Sequence, residues 1–350
     1  MRVVVVGATG NVGTSVLRCL ADEPRVTEVL GIARRTPAMR WPKTTFVRAD
    51  VTSDPLVELF RGADAVVHLA WAIQPSHDQD ELERVNVTGS ERVFDAAGKA
   101  GVGALVYASS IGAYSPGPKD RGVDESFPTG GVETSFYSRH KAAAERLLDD
   151  FERSFPDVRA VRLRPGLIFK REAAAEIRRY FIGPLLPQWL VRPELIPFVP
   201  DVEGLRFQAV HSFDVGDAYR LAVIGDARGA FNIAADPVLD PDQLADLLDA
   251  RKVPVPAGAL RAAAEATWKA HVQPSPPGWV DMALSVPIMD TTRAREELGW
   301  EPRRSSREAL MDLLHGLRDG DGADTPPLDP HAGGPGRVRE ALTGVGSRNP

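Results

Sequence analysis

Through the first half of the chain, short β-branched apolar runs alternate with longer stretches in which apolar residues recur every three or four positions. Continuous apolar runs bounded by turn residues predict strands buried on both faces, whereas recurrence near 3.6 predicts helices with one apolar side. The strands expected on this basis cover residues 2–6, 28–33, 45–49, 65–70, 104–109 and 158–164, and the helices 11–22, 55–61, 80–100 and 136–153. Regular alternation of the two implies an α/β fold built on a doubly wound parallel sheet, whose ligands sit at the carboxyl ends of its strands.

After Arg164 the pattern changes. Pro165, Pro184, Pro187, Pro193, Pro197 and Pro200 interrupt an apolar stretch that holds Trp189, Leu190, Leu195 and Ile196. Prolines this dense forbid long regular elements, so the stretch is expected to form part of a smaller, C-terminal, substrate-capping domain. The expected division is 1–166 plus 207–235 for the sheet domain and 167–206 plus 236–318 for the cap. Residues 319–350 are expected to be a mobile tail, because 12 of these 32 residues are Gly or Pro and large apolar side chains are scarce.

Composition narrows the function. With 43% apolar and 26% charged residues, a disordered or fibrous chain is excluded. A net charge of -6 gives no footprint for nucleic acid or an anionic membrane, which leaves small-molecule chemistry. The single cysteine, Cys19, makes neither an intrachain disulfide nor a cysteine metal cluster. The apolar run in MRVVVVGATG is too short for a membrane span and is broken by glycine, so a cytoplasmic protein is expected.

The first strand runs into Gly7-Ala8-Thr9-Gly10-Asn11-Val12-Gly13. Gly7 permits a tight turn, Gly10 lets backbone approach a pyrophosphate, and Gly13 allows close packing of helix and sheet, while the helix N-terminus offers free N–H groups. This is a Rossmann-type dinucleotide turn in its proper context, strand before and helix after. The second strand ends Ala33-Arg34-Arg35, with no carboxylate to grip a free ribose 2′-hydroxyl. Two guanidinium groups suit a 2′-phosphate, so NADP(H) is favoured, with NAD(H) the alternative and two solvated loop arginines the plainer reading.

Tyr137 and Lys141 are four residues apart, on one face of the predicted helix 136–153. A free phenol titrates near about 10 and makes a poor base at neutral pH, so a nearby ammonium that stabilises the phenolate is expected to loosen its proton. Ser110 closes the predicted fifth strand at the edge where ligands of such sheets lie. Tyr137 is therefore the candidate general acid/base for hydride transfer, with Lys141 beside it.

The Gly-x-x-Gly-x-x-Gly spacing, Ser110 with Tyr114, Tyr137 with Lys141, Arg164-Pro165-Gly166, His211 with Asp214-Val215 and Leu298-Gly299-Trp300-Glu301-Pro302 occur in an order that resembles the extended short-chain dehydrogenase/reductase superfamily, of the NAD-dependent epimerase/dehydratase type. The resemblance covers residues 1 to about 318. It implies that Ser110 polarises the substrate oxygen, that Asp50 and Val51 contact adenine, and that Ala70 and Trp71 lie near the pyrophosphate or nicotinamide ribose. It further implies a homodimer through helices 80–100 and 136–153.

The chain departs from that pattern at Lys170, where glycine is usual, at Phe136, and at His140 before the lysine. His140 reads as a packing or surface residue, and His211 with Asp214 as a structural turn in which Asp214 caps a helix. No His and carboxylate cluster has metal spacing, so no metal is expected. Sugar 4,6-dehydratases carry an Asp-Glu pair after the catalytic hydroxyl residue; here stand Ile111 and Gly112, which cannot serve as a second acid and base. The expected activity is an NAD(P)-dependent oxidoreductase acting on a small carbonyl or alcohol substrate. A nucleotide-sugar epimerase using the same hydride step is the alternative, and a non-catalytic NADP(H) sensor a weaker one.

Overall fold

Fully apolar runs at residues 3–6, 65–67 and 104–107 leave no face of their strands for water, and all three lie near the middle of a seven-stranded parallel sheet. The computed structural model describes residues 1–37, 40–73, 79–179, 196–270 and 275–330. Five strands come from the first third of the chain: β1 (Arg2–Val6), β2 (Glu28–Ala33), β3 (Thr44–Arg48), β4 (Ala65–His68) and β5 (Ala104–Ala108). Two more, Arg159–Pro165 and Gly229–Ile233, complete the order β3-β2-β1-β4-β5-(159–165)-(229–233). The chain builds outward from β1 to β3 and then returns to the other side of β1. That reversal places a crevice at the carboxyl ends of β1 and β4, the position where such sheets bind ligands.

Both faces are covered. Val3 and Val5 pack with helix α1 (Asn11–Ala21) and helix Ser212–Ile224, while Val4 and Val6 pack with helices Gly89–Ala100 and Phe136–Ser154. The alternation of β1 side chains between two apolar clusters is the two-residue strand period acting on a run of four valines. The expected elements occur with ends shifted by no more than two residues, except that the predicted helix 80–100 is helix Gln79–Glu83, a π-helical turn Arg84–Thr88, and helix Gly89–Ala100.

Beyond the sheet, strand Phe198–Asp201 pairs with Arg251–Pro254, and strand Leu167–Phe169 pairs with Ala209–His211. Most of the proline-punctuated stretch, residues 180–195, lies outside the described residues. The first part of the segment expected to be a mobile tail makes long-range contacts. Asp319 and Asp321 pair with Arg171, Leu328 is fully buried, and Thr325 donates to the Thr9 carbonyl at 2.8 Å. Local glycine and proline content did not register these long-range partners. The rest of that tail lies outside the described residues. Among the described residues, no helix is long and apolar enough to cross a membrane.

Candidate active site

The three glycines of the turn after β1 have different reasons to be glycine. Gly7 has a φ of +89°, and a Cβ there would stand 2.6 Å from the Ala70 backbone nitrogen. At Gly13 a Cβ would lie 2.3 Å from the Gly7 oxygen, so helix α1 starts in contact with the turn itself. At Gly10 a Cβ would meet only the Gly7 oxygen, at 3.8 Å. Packing within the protein does not demand glycine at position 10; the space such a Cβ would enter is the cleft. Gly10 caps α1 with extended backbone and without a side-chain hydrogen bond, which leaves the N–H groups of the first turn directed at that cleft.

A cavity of about 150 Å³ opens there. Gly7, Thr9 and Gly10 form its floor, Arg34 and Arg35 stand at the end of β2, Asp50 and Val51 at the end of β3, and Ala70 and Trp71 at the end of β4. Burial pushes the Asp50 carboxyl up, but hydrogen bonds from Thr52 and the charges of Arg34 and Arg84 outweigh it and leave it below its ordinary value. Asn11, Val12 and Gly13 begin α1 behind this wall. Asn11 donates to the Ile168 carbonyl and keeps a buried side-chain oxygen without a partner, whereas the Val12 side chain packs into the core, so only its backbone is available to the cleft.

Ser110, Tyr137 and Lys141 come together at the carboxyl end of β5. Ser110 caps a short 3-10 turn, its Oγ accepting from the Gly112 N–H at 3.0 Å, and its side chain is a hydrogen-bond partner of Tyr137. Helix Phe136–Ser154, capped by Ser135, carries Tyr137 and Lys141 one turn apart. Lys141 Nζ donates to the Ala108 carbonyl at 2.6 Å and lies 3.4 Å from the Trp71 ring centroid. Trp71 therefore stands between the cavity and the tyrosine, whose ring is 6.1 Å away on one side, with Trp279 at 4.9 Å from that ring on another.

At Tyr137 burial works against the loosening of the phenol proton expected from Lys141. Burial pushes Tyr137 up to about 12, opposed only by its hydrogen bond with Ser110. Lys141 lies 5.8 Å from the tyrosine ring centroid, and burial holds it well below its ordinary value, with Glu145 pulling the other way. An ammonium group in so dry a place is itself disfavoured, which is why its presence on the helix does not lower the phenol.

Two supporting residues escaped the reading of the sequence. Asn86, fully buried in the π-helical turn, accepts from the Ala72 N–H at 2.7 Å and donates to the Ala72 carbonyl at 2.9 Å, clamping the backbone next to Trp71. A lone asparagine in the apolar run Val85-Asn86-Val87 was the available signal. Glu145, one turn beyond Lys141, accepts from Ser109 at 2.5 Å, from Arg162 at 3.0 Å and from Arg164 at 2.9 Å through each oxygen. Although burial raises it, these partners hold its carboxyl at about 2. Tyr114 belongs to the same network rather than to the cleft: it is fully buried, donating to Asn232 and accepting from Arg164.

His140 and His211 make packing and capping contacts. His140 is buried against Phe136 and is lowered to about 4 by burial. His211, not Asp214, caps helix Ser212–Ile224, accepting from the Phe213 N–H at 3.2 Å; Asp214 sits in the helix's first turn and accepts from the Arg304 N–H. Among the described residues no group of three or more His, Cys, Asp or Glu side chains could hold a metal ion.

Comparison with known proteins identifies the family. An uncharacterised protein of Mycobacterium tuberculosis is 27% identical over 373 aligned positions, covering 99% of this chain and 92% of its own. A Saccharomyces cerevisiae sterol-4-alpha-carboxylate 3-dehydrogenase (decarboxylating) is 32% identical over 51% of this chain and 46% of its own. Among solved structures, the Thermus thermophilus UDP-glucose 4-epimerase in complex with NAD superposes with a TM-score of 0.65 at 20% identity, covering 91% of this chain and 99% of that one. The model of the NAD dependent epimerase/dehydratase family matches residues 3–234. From the glycine turn through the tyrosine helix to the last strand of the sheet, the chain thus belongs to the NAD dependent epimerase/dehydratase family, enzymes of nicotinamide-dependent hydride transfer.

Proposed function

We propose that the protein is an NADP(H)-linked oxidoreductase that interconverts a small carbonyl compound and its alcohol, with Tyr137 as general acid/base. The observation that carries this reading is the convergence of Ser110, Tyr137 and Lys141 beside a glycine cradle that a Cβ at Gly10 would fill. The residues fit a dinucleotide. Backbone of Gly7, Thr9, Gly10, Asn11, Val12 and Gly13 would hold the diphosphate, Asp50 and Val51 the adenine, and Ala70, Trp71, Tyr137 and Lys141 the nicotinamide end. Once bound, the dinucleotide supplies the hydride acceptor or donor.

This chain's own groups then handle the proton. With Tyr137 held neutral by burial, the phenol is an acid ready to give its proton to a carbonyl oxygen as that oxygen gains charge, and Ser110 donates a hydrogen bond to the same oxygen. In the oxidising direction the phenolate takes the alcohol proton, and a positive charge brought next to the ring offsets the burial that now holds the proton on. The Trp71 and Trp279 rings pack against the tyrosine ring. Nucleotide-sugar epimerisation is the second reading, favoured by the epimerase names of solved neighbours that share the fold.

Tyr137→Phe tests the chemistry. Turnover of NADPH with a panel of aldehydes and ketones is expected to fall by about 10²- to 10⁴-fold with little change in dinucleotide affinity. Undiminished turnover removes the assignment. Equilibration of a sugar nucleotide without net redox change selects the epimerase. For the 2′-phosphate, Arg34→Ala with Arg35→Ala is expected to weaken NADPH far more than NADH; equal losses remove the NADP(H) preference.

A further inference from the structure

Lys170 stands just after strand Leu167–Phe169, and its side chain runs beneath the first turn of α1 while remaining 2% exposed. Its Nζ donates to the Asn11 carbonyl at 2.8 Å, to Thr14 Oγ1 at 2.6 Å and to Ser15 Oγ at 3.2 Å. All three ammonium protons are used, and all three acceptors are neutral. Two electrostatic terms oppose this placement. Removing an ammonium from water costs several kcal/mol even after relaxation. A cation is also at the wrong end of the helix, since the N-terminus carries the positive end of the dipole. An anion at the glycine turn offsets both by favouring the charged form.

We propose that Lys170 is a positioning residue for the diphosphate of the dinucleotide: its buried ammonium charges the start of α1 from below and holds the Asn11 carbonyl, so that the first-turn N–H groups meet the anion. The inference rests on the reading of the glycine turn as a dinucleotide site. Burial pulls Lys170 down to about 8. The charged groups that face it are Glu172 and Glu176 on its own segment, which raise it, and Arg18 on α1, which lowers it; helix Ser212–Ile224 presents the Phe213 ring, 5.6 Å away. A bound anion favours the charged form. The free protein therefore loses the charge as pH rises through about 8, the complex keeps it longer, and affinity falls over that window.

The test is the dissociation constant of NADH, which lacks the 2′-phosphate and its own titration, followed by nicotinamide fluorescence from about pH 7 to about 9.5. Wild-type affinity is expected to fall about tenfold across that range, and Lys170→Met is expected to bind about tenfold or more weakly near neutrality with a flat profile. Lys170→Arg, which stays charged, is expected to keep most of the neutral-pH affinity with a flat profile, and it decides the matter if the Met variant does not fold. A Met variant with wild-type affinity and slope, or an Arg variant with the wild-type slope, overturns the proposal, whatever happens to the melting temperature. A wild-type protein that binds no dinucleotide overturns both this and the reading of the glycine turn.

Discussion

Lys141 and Trp71 form a buried cation–π pair, with Nζ 3.4 Å from the indole centroid while it also donates to the Ala108 carbonyl. Such a pair is worth about 2 kcal/mol when desolvated. Burial of the ammonium is otherwise unfavourable, so the indole face, the Ala108 carbonyl and the charge of Glu145 together make Lys141 tolerable at the end of β5. A double-mutant cycle of Trp71→Leu and Lys141→Met, followed by urea unfolding, is expected to give a coupling energy of about 1–2 kcal/mol. Additive losses would mean that the contact contributes nothing to stability.

Gly112 is held to glycine by Tyr137. A Cβ at position 112 would stand 2.8 Å from Cε1 of the tyrosine ring and 3.1 Å from the Met282 sulfur. Gly112→Ala is therefore expected to push the phenol away from Ser110, lowering turnover by about 10- to 100-fold while NADPH affinity is retained. The cost in stability is expected to be about 1–3 kcal/mol from overpacking. Unchanged turnover would show that the ring position next to Gly112 has no bearing on chemistry. The same crowding explains why an acidic pair cannot follow Ser110 here without displacing the tyrosine.

What the sequence disclosed and what it hid divide along one physical line. β1 to β5, the glycine turn and the pairing of Tyr137 with Lys141 are encoded in periodicities and spacings of fewer than about twenty residues, and these can be read without coordinates. Asn86 on Ala72, Arg162 and Arg164 on Glu145, Trp279 on Tyr137 and Thr325 on Thr9 are contacts of single side chains with a different element, near or far in the chain, and no periodicity marks them. The titration of Tyr137 was hidden for the same reason. Spacing places an ammonium near a phenol, but burial decides whether that ammonium keeps its charge.

Glu145 ties the tyrosine helix to strand Arg159–Pro165. Two arginines and Ser109 hold its carboxyl at about 2, against an ordinary value of 4.5. A depressed carboxylate contributes stability that is fully present above its unfolded value and is lost as pH falls through the folded one, here from about 4.5 to about 2. Wild-type unfolding free energy is expected to decline across that window and Glu145→Gln to show a shallower decline. At neutral pH Glu145→Gln is expected to cost about 3–5 kcal/mol, because Arg164 is left buried without its anion, while Arg162 keeps Asp149 and Glu152. Identical acid slopes for the two proteins would place the acid sensitivity elsewhere.

The segment 319–330 closes one side of the cavity at the glycine turn. Pro327 lines it together with Glu176 and Arg179, Arg179 donates to the Pro327 carbonyl at 3.3 Å, and Thr325 donates to the carbonyl of Thr9 within the glycine turn. Leu328 anchors the segment by full burial. Thr325→Val removes one hydrogen bond at constant shape and leaves the buried Thr9 carbonyl short of a donor, a loss of about 1–3 kcal/mol. Because that bond braces the turn, NADH is expected to dissociate about fivefold faster from the variant, which corresponds to about 1 kcal/mol. Hydrogen exchange at the amides of residues 9–13 is expected to speed up in parallel. Stopped-flow release at the wild-type rate, with unchanged exchange at those amides, would show that the segment merely lies beside the cleft and does not hold its floor.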